Sequence, residues 1–271
     1  MKLSSILLLS VIILPCLIGA ALFAGDNTDG VAQIDVREPR HLDKALINDI
    51  AEGFAPLFDG KTLNGWVQRG GKAKFTVEDG MIVGETVPNT PNSFLCTEKN
   101  YGDFILELDY KVDPELNSGV QFRSECFNKP TTVKNGDKEI KIPAGRVHGY
   151  QCEIDMDHKK ARWWTAGIYD EGRREWLYPG ALGGDKKTFT EQGVKISKQN
   201  QWNHLRIEAV GDSIKTRLNG VPVAEIKDSM TLKGFIALQV HNVGNRQEPL
   251  HVYFKNIRIK EIGAKENNTE K

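Results

Sequence analysis

The feature that most constrains this chain is an alternation of apolar and polar residues with a period of two. It is clearest over residues 104–111, 120–123, 150–155, 214–218 and 236–241. Successive side chains of a strand point to opposite faces, so each segment predicts a strand with one buried face. Asp79-Gly80 and Asn219-Gly220 separate such runs, and these dipeptides are typical of tight hairpins. The chain is therefore predicted to be an all-β sandwich or jelly roll of antiparallel strands.

The two ends of the chain differ in character from this main domain. Residues 1–24 hold one charge, Lys2, then an apolar run from Ile6 to Leu14 and several small residues. This order is typical of a secretory signal peptide and predicts export to the periplasm or the cell exterior, with an uncleaved membrane anchor as the alternative. Residues 25–53 are predicted to form a linker and a short helix. The main domain is expected over residues 54–262, followed by a charged tail over residues 263–271.

The charge balance argues against a nucleic-acid partner. The chain has 36 basic and 36 acidic residues and a formal net charge of zero, whereas nucleic-acid binders usually show a basic excess. Beyond the signal peptide only Cys96, Cys126 and Cys152 remain. They allow at most one disulfide, so the fold is expected to rely on a packed core. The oligomeric state is left open.

Two polar stretches are predicted to be long loops. They cover residues 128–144 and 180–201. Long loops on a β scaffold typically shape its binding side.

A polar strand face carries the first candidate site residues. Gln151, Glu153 and Asp155 alternate with apolar residues, so they share one face, about 6.6–6.8 Å apart along the strand. Acid–base chemistry at a sugar needs carboxylates roughly 5–10 Å apart. Repulsion between two close carboxylates also makes their pKa values differ, so that one group can act as an acid and the other as a base. An ordinary solvated sheet face is the alternative.

Neighbouring strands are expected to add polar groups to this face. Asn117 precedes a strand whose polar positions include Arg123, and Asp109 lies on the polar face of the strand before it. Side chains of this kind hydrogen-bond several sugar hydroxyls at once. The alternative is a surface pair of Arg123 and Asp109, worth under about 1 kcal/mol.

Two further segments hold candidate residues. The stretch from Trp163 to Tyr178 combines aromatic and charged residues, and Trp164 and Tyr169 are predicted to stack on a sugar ring. Gln239 and His241 share a strand face, where Gln239 is a candidate sugar contact and His241 a candidate general base or metal ligand. Motifs for zinc hydrolysis, nucleotide binding and serine hydrolysis are absent from the sequence.

Several sequence blocks also carry a family resemblance. The blocks are FDGKTLNGW (58–66), YGDF (101–104), NSGVQFR (117–123), GYQCEID (149–155), WN (202–203), LNG (218–220), GFIALQ (234–239) and FKNIRI (254–259). In this order and spacing they resemble the 3-keto-disaccharide hydrolase domain family, over about residues 54–262.

The resemblance implies a concanavalin-like jelly roll and an exported enzyme that cleaves glycosides oxidised at C3. A C3 ketone acidifies the C2 hydrogen, so a base can remove it, the C1 substituent can leave and water can add. Such chemistry needs a base, an acid and an electrophile at the ketone oxygen. Glu153, Asp155 and His241 are the candidate acid and base residues. Arg123 or a bound divalent cation is the candidate electrophile.

Two alternatives use the same residues. Retaining laminarinase-type glucanases share the jelly roll and a motif E-[ILV]-D-x-E. This chain has EIDMD at residues 153–157, so Asp157 stands in the place of the expected glutamate. The other alternative is a carbohydrate-binding module without catalytic activity.

Overall fold

The computed structural model describes residues 52–157 and 162–263. Within these ranges the chain forms two large antiparallel sheets packed face to face, as predicted for a concanavalin-like jelly roll. The signal peptide, the short N-terminal helix and the charged tail were predicted for segments that lie wholly or almost wholly outside the described residues. Among the described residues, no helix is long and apolar enough to cross a membrane.

The first sheet has eight strands and is called the back sheet. Its strands are β1 (Ala55–Pro56), β3 (Lys74–Glu78), β4 (Met81–Glu85), β6 (Phe104–Val112), β15 (Asn203–Val210), β16 (Ser213–Leu218), β17 (Val221–Lys227) and β19 (His251–Glu261). They lie in the order β17-β16-β15-β6-β19-β4-β3, and β1 pairs with β19. The predicted Asp79-Gly80 turn joins β3 to β4, and the Asn219-Gly220 turn joins β16 to β17.

The second sheet has seven strands and carries the candidate site, so it is called the site sheet. Its strands are β2 (Trp66–Gly70), β5 (Ser93–Thr97), β7 (Ser118–Glu125), β10 (His148–Ile154), β13 (Ile168–Glu171), β14 (Glu175–Tyr178) and β18 (Phe235–Val240). They lie in the order β14-β13-β10-β7-β18-β5-β2. Strands β10, β7 and β18 therefore lie side by side at the centre of the sheet.

The core lies between the two sheets. Leu106 and Leu108 of β6 are fully buried in one cluster with Phe122 of β7 and with Tyr150 and Cys152 of β10. Burial of each large apolar side chain stabilises the fold by about 1.5–3 kcal/mol. Because side chains alternate along a strand, the residues between these core positions on β10 face away from the core.

The remaining elements correct two loop predictions. Residues 128–144 contain a hairpin of β8 (Thr131–Asn135) and β9 (Lys138–Ile142), and residues 180–201 contain the helix α1 (Lys186–Ile196). The hairpin pairs only with itself and is largely polar, so it gives no one-sided apolar pattern. Asp185 caps the start of helix α1 by accepting a hydrogen bond from Thr188 N, and the helix buries only Phe189 and Gly193. A further small pair joins β11 (Met156–Asp157) to β12 (Arg162–Trp163).

A buried ion network closes one edge of the site sheet. Asp170 of β13 accepts hydrogen bonds from Arg173 (2.7 Å) and Arg174 (2.5 Å). Arg174 also contacts Asp228 at 2.7 Å, and the Tyr150 hydroxyl donates to Asp228. The network fixes β13 against β10, and so positions the residues of β13 that face the other way.

Candidate active site

A polar cavity lies on the face of the site sheet that is turned away from the core. Its volume is about 530 Å³, which is within the usual range for a small-molecule site. Charged and polar side chains dominate its lining, and these are Glu115, Glu153, Asp155, Glu171, Arg146, Arg162, Arg246, His241, Asn92, Asn117, Asn242, Gln151 and Gln239. Such a lining suits a ligand with many hydroxyl groups.

Glu153 is a buried carboxyl group in the floor of this cavity. Asn117 Nδ2 donates a hydrogen bond to Oε1 at 2.6 Å, and Gln151 Nε2 donates to Oε2 at 2.7 Å. Burial, with repulsion from the nearby Asp155 as the second cause, raises the pKa of Glu153 to about 8, although both hydrogen bonds act in the opposite direction. At neutral pH the carboxyl group is therefore mostly protonated.

A chain of hydrogen bonds orients the amide that holds Glu153. Ser124 Oγ donates to Gln121 Oε1 at 2.7 Å, and Gln121 Nε2 donates to Gln151 Oε1 at 2.5 Å. With its oxygen engaged in this way, Gln151 presents its Nε2 group to Glu153. We call Ser124, Gln121 and Gln151 the amide relay. All three side chains are buried.

Gly119 makes room for the relay. Gly119 lies opposite Glu153 in the pairing of β7 with β10. A Cβ atom at this position would lie 2.6 Å from Cδ and 2.8 Å from Nε2 of Gln151. The absent side chain therefore leaves the space that the Gln151 amide occupies beside β7.

Asp155 is the second carboxylate in the cavity. It follows the last residue of β10, and its backbone N–H donates to Thr165 Oγ1 at 3.0 Å. Arg162 Nε donates to Asp155 Oδ2. The guanidinium of Arg162 lies 5.5 Å from the ring centres of both Trp164 and Trp176. This contact with a fixed guanidinium favours the ionised form of the Asp155 carboxylate.

One wall of the cavity is aromatic. Tyr169 of β13 and Trp176 of β14 pair directly, with their ring centres 5.3 Å apart. Both line the cavity. The remaining charged pairs are Arg146 with Glu171, and Arg246 Nη1 with Glu115 Oε2 at 2.5 Å.

The opposite side of the floor is formed by β18. Gln239 is fully buried and lines the cavity, and among the described residues neither its Nε2 nor its Oε1 atom has a hydrogen-bond partner. His241 also lines the cavity, with Nδ1 2.7 Å from the backbone oxygen of Asn242.

The structure thus brings together seven of the ten predicted site residues. The seven are Asn117, Gln151, Glu153, Asp155, Tyr169, Gln239 and His241. The other three predicted residues do not line the cavity. Asp109 belongs to β6 of the back sheet, where His204 Nδ1 lies 2.9 Å from its Oδ1. The alternation showed which side of the strand Asp109 occupies but not which sheet the strand joins.

Arg123 is displaced from the cavity by a β-bulge. Its φ is +45°, and the pairing of β7 shifts register beside it on both neighbouring strands. The guanidinium instead contacts Gly102 O at 2.9 Å, Gly211 O at 2.7 Å and Asp103 Oδ1 at 2.8 Å. It ties β7 to loops of the back sheet, so it does not reach the cavity lining.

Trp164 lies behind the aromatic wall and does not line the cavity. It packs edge-on against Trp176, with ring centres 4.6 Å apart, and its indole N–H donates to Thr190 Oγ1 at 2.9 Å. Half-buried Trp176 lines the cavity in the role that was predicted for Trp164. The pairing of β13 with β14 places Trp176 in the cavity wall. A hairpin prediction over residues 168–178 could have identified this position of Trp176.

Arginine residues of the cavity were missed at the sequence level. Arg146 precedes β10, and Arg162 is the first residue of the two-residue strand β12. Neither belongs to a periodic pattern, so only the folded structure shows them beside acidic partners. Among the described residues, no three His, Cys, Asp or Glu side chains lie together in a group that could hold a metal ion.

Comparison with known proteins assigns the chain to a family. Residues 53–260 match the model of the 3-keto-alpha-glucoside-1,2-lyase-like domain. The chain belongs to this family. A protein of Bacteroides thetaiotaomicron named 3-keto-disaccharide hydrolase is 33% identical over 245 residues, which cover 78% of this chain and 79% of that protein.

Two solved structures are similar to this chain at low sequence identity. A Bacillus subtilis protein of unknown function with a galectin-like fold is 12% identical, with a TM-score of 0.53, over 77% of this chain and 94% of that chain. The carbohydrate-binding module CBM66 of Bacillus subtilis is 18% identical, with a TM-score of 0.45, over 73% of this chain and 96% of that chain. The first of these likenesses supports a jelly-roll sandwich.

Proposed function

We propose that this family member cleaves the glycosidic bond of 3-keto-glycosides. The observation that carries the proposal is the pair of buried carboxyl groups, Glu153 and Asp155, which differ in their surroundings within one polar cavity. Glu153 is mostly protonated at neutral pH, whereas Asp155 contacts a guanidinium. A pair of this kind supplies an acid and a base at the same pH. The name of the Bacteroides relative gives the same substrate class.

The proposed reaction begins with proton removal at C2 of the oxidised sugar. The C2–H electron pair forms a C2=C3 double bond, and the C3 carbonyl pair moves to oxygen, giving an enolate. The enolate then restores the ketone and expels the C1 oxygen, which takes a proton. Water adds to C1 of the resulting enone and a proton returns to C2, so the net change is hydrolysis.

The two carboxyl groups divide the proton transfers. Asp155 is the base that removes the C2 proton, because Arg162 donates to its carboxylate and such a contact stabilises the charged form. Glu153 is the acid that protonates the leaving oxygen, because it carries a proton at neutral pH. His241, on the β18 side of the cavity, is the proposed partner for the water that adds to C1. Tyr169 and Trp176 offer ring faces for the sugar.

The decisive experiment measures cleavage of 3-keto-glucosides and of their unoxidised parents, with and without EDTA. We expect cleavage of the keto substrates alone, because only the ketone acidifies C2–H. Glu153→Gln and Asp155→Asn should each lower turnover about 10²–10⁴-fold. Glu225→Gln is the matched control, because this glutamate lies exposed on β17 of the back sheet, and it should leave turnover unchanged.

Other results would contradict the proposal. Equal or faster cleavage of unoxidised β-glucans would favour a retaining glucanase. Binding of sugars without any turnover would favour a binding module. Loss of activity in EDTA that added divalent cation restores would leave the proposed cleavage standing and would show that a cation takes part.

We also propose that the protein is exported to the periplasm or the cell exterior. The support is the sequence pattern of residues 1–24, which is typical of a secretory signal peptide.

A further inference from the structure

Three residues form one row across the centre of the site sheet. Glu153 of β10 pairs with Gly119 of β7, and Gly119 pairs with Gln239 of β18. Neighbouring strands lie about 4.8 Å apart, so the backbones of Glu153 and Gln239 are about 10 Å apart. Gly119 contributes no side chain between them, and the Gln151 side chain occupies the space next to it. A single sugar ring over this floor would have Glu153 on one side and Gln239 on the other.

The amide of Gln239 is unusual because it is buried and unsatisfied. Its side chain is fully buried, and among the described residues both its nitrogen and its oxygen lack a hydrogen-bond partner. Buried polar groups are nearly always hydrogen-bonded, and an unpaired one destabilises the folded state. An amide in this state that faces a cavity is typical of a group whose partner is a ligand.

Several other donors of the cavity already contact an acceptor group of the protein. Arg162 contacts Asp155, and Arg146 contacts Glu171. The amides of Asn117 and Gln151 donate to Glu153. Arg123, the candidate electrophile from the sequence, bonds to loops of the back sheet. Gln239 therefore presents a buried donor whose hydrogens are not used by another described residue.

We propose that Gln239 Nε2 donates the hydrogen bond that holds the C3 oxygen of the substrate as the ketone becomes an enolate. This inference rests on the proposed function. As Asp155 takes the C2 proton, the carbonyl electron pair moves to the C3 oxygen, and the Gln239 N–H stabilises the negative charge. The Gln239 Oε1 atom accepts a hydrogen bond from the neighbouring C4 hydroxyl. Glu153, across the row, faces the leaving oxygen at C1.

The test isolates the first step with a substrate that cannot eliminate. The 3-keto derivative of 1,5-anhydroglucitol has no leaving group at C1, so the enzyme can only exchange its C2 hydrogen. We expect the full mature chain to exchange this hydrogen for deuterium in D₂O, followed by NMR. Gln239→Leu should slow the exchange about 10²–10³-fold, the usual effect of removing one donor to an oxyanion. Cleavage of a 3-keto-glucoside should slow equally.

Controls separate this role from a general loss of structure. Gln199→Leu removes a glutamine outside the cavity and should leave the exchange rate unchanged. Gln239→Leu should melt at the wild-type temperature or above it, because it removes an unsatisfied buried amide. Gln239→Glu, which has the same shape, should slow exchange at least as much, because its charge opposes the enolate.

The outcomes distinguish the two proposals. Suppose that the wild-type enzyme cleaves 3-keto-glucosides and that both Gln239 variants exchange hydrogen at the wild-type rate. This result would overturn the role of Gln239 and leave the proposed function standing. A wild-type enzyme that neither exchanges nor cleaves would overturn both. Glu153→Gln should keep the exchange reaction and lose cleavage, because exchange needs no leaving-group acid.

Discussion

Gly119→Ala is expected to disable the site through a side chain that never touches the substrate. The new methyl group would lie 2.6 Å from Cδ and 2.7 Å from Cγ of Gln151. These contacts are too short, so Gln151 must move and its amide must leave its present place. Two hydrogen bonds are then lost, the one from Gln121 (2.5 Å) and the one to Glu153 (2.7 Å).

The size of the effect follows from these two bonds. Each contributes about 1 kcal/mol to stability, so the free energy of unfolding should fall by about 2 kcal/mol. In a domain of this size the melting temperature should then fall by about 4–8 °C. Turnover should fall about 10²-fold, because Glu153 loses the donor that orients it.

The assay combines thermal unfolding with turnover on a 3-keto-glucoside. Gly102→Ala is the matched control, because the nearest atom to its new Cβ is Leu232 O at 3.7 Å, and it should change neither quantity by much. The melting temperature of the double variant Gly119→Ala/Gln151→Ala should be higher than the sum of the two single effects predicts, because the new methyl group no longer meets the Gln151 side chain. A Gly119→Ala enzyme with wild-type turnover and melting temperature would refute the reasoning.

Three further results are expected. The pKa of Glu153 is about 8 in the folded protein and lies above the ordinary value of 4.5, so the folded wild type loses stability as the pH rises between these values. The melting temperature of Glu153→Gln relative to wild type should therefore rise over this pH interval and level off above about pH 8. A difference in melting temperature that stays constant with pH would contradict the raised pKa of Glu153. Cys152 is fully buried, and burial raises the pKa of its thiol. Iodoacetamide should therefore not label Cys152 in the native state. Rapid labelling with loss of activity would show an accessible thiolate. The chain without residues 1–24 should be produced folded without detergent, as judged by circular dichroism, and recovery only in detergent would contradict the expectation that no later segment anchors the chain in a membrane.

The sequence predicted which face of a strand a residue occupies better than it predicted which sheet the strand joins. Glu153 and its neighbours on β10 lie in the cavity because their alternation is regular and the opposite face is core. The same argument placed Asp109 on the correct side of β6, but periodicity carries no information about which sheet a strand joins. Arg123 was misplaced for a different reason, because a bulge with a positive φ interrupts the alternation at that residue.

Helix α1 was missed because its apolar signal is weak. Phe189 is its one large buried side chain, and Gly193 replaces a second one where the helix meets the Trp163 backbone. A helix with so few buried residues has no clear periodicity. The start signal was present, since Asp185 caps the helix three residues before Thr188.

The pair of Arg246 and Glu115 at the edge of the cavity has a consequence for how this family can diversify. Both side chains are more than a third exposed, and they lie on loops between strands, so their interaction contributes little to stability. The floor residues are buried in connected hydrogen bonds, where most substitutions are costly. Selection can therefore alter the edge residues at low structural cost while the floor stays the same, and new leaving groups can be accommodated by loop changes alone.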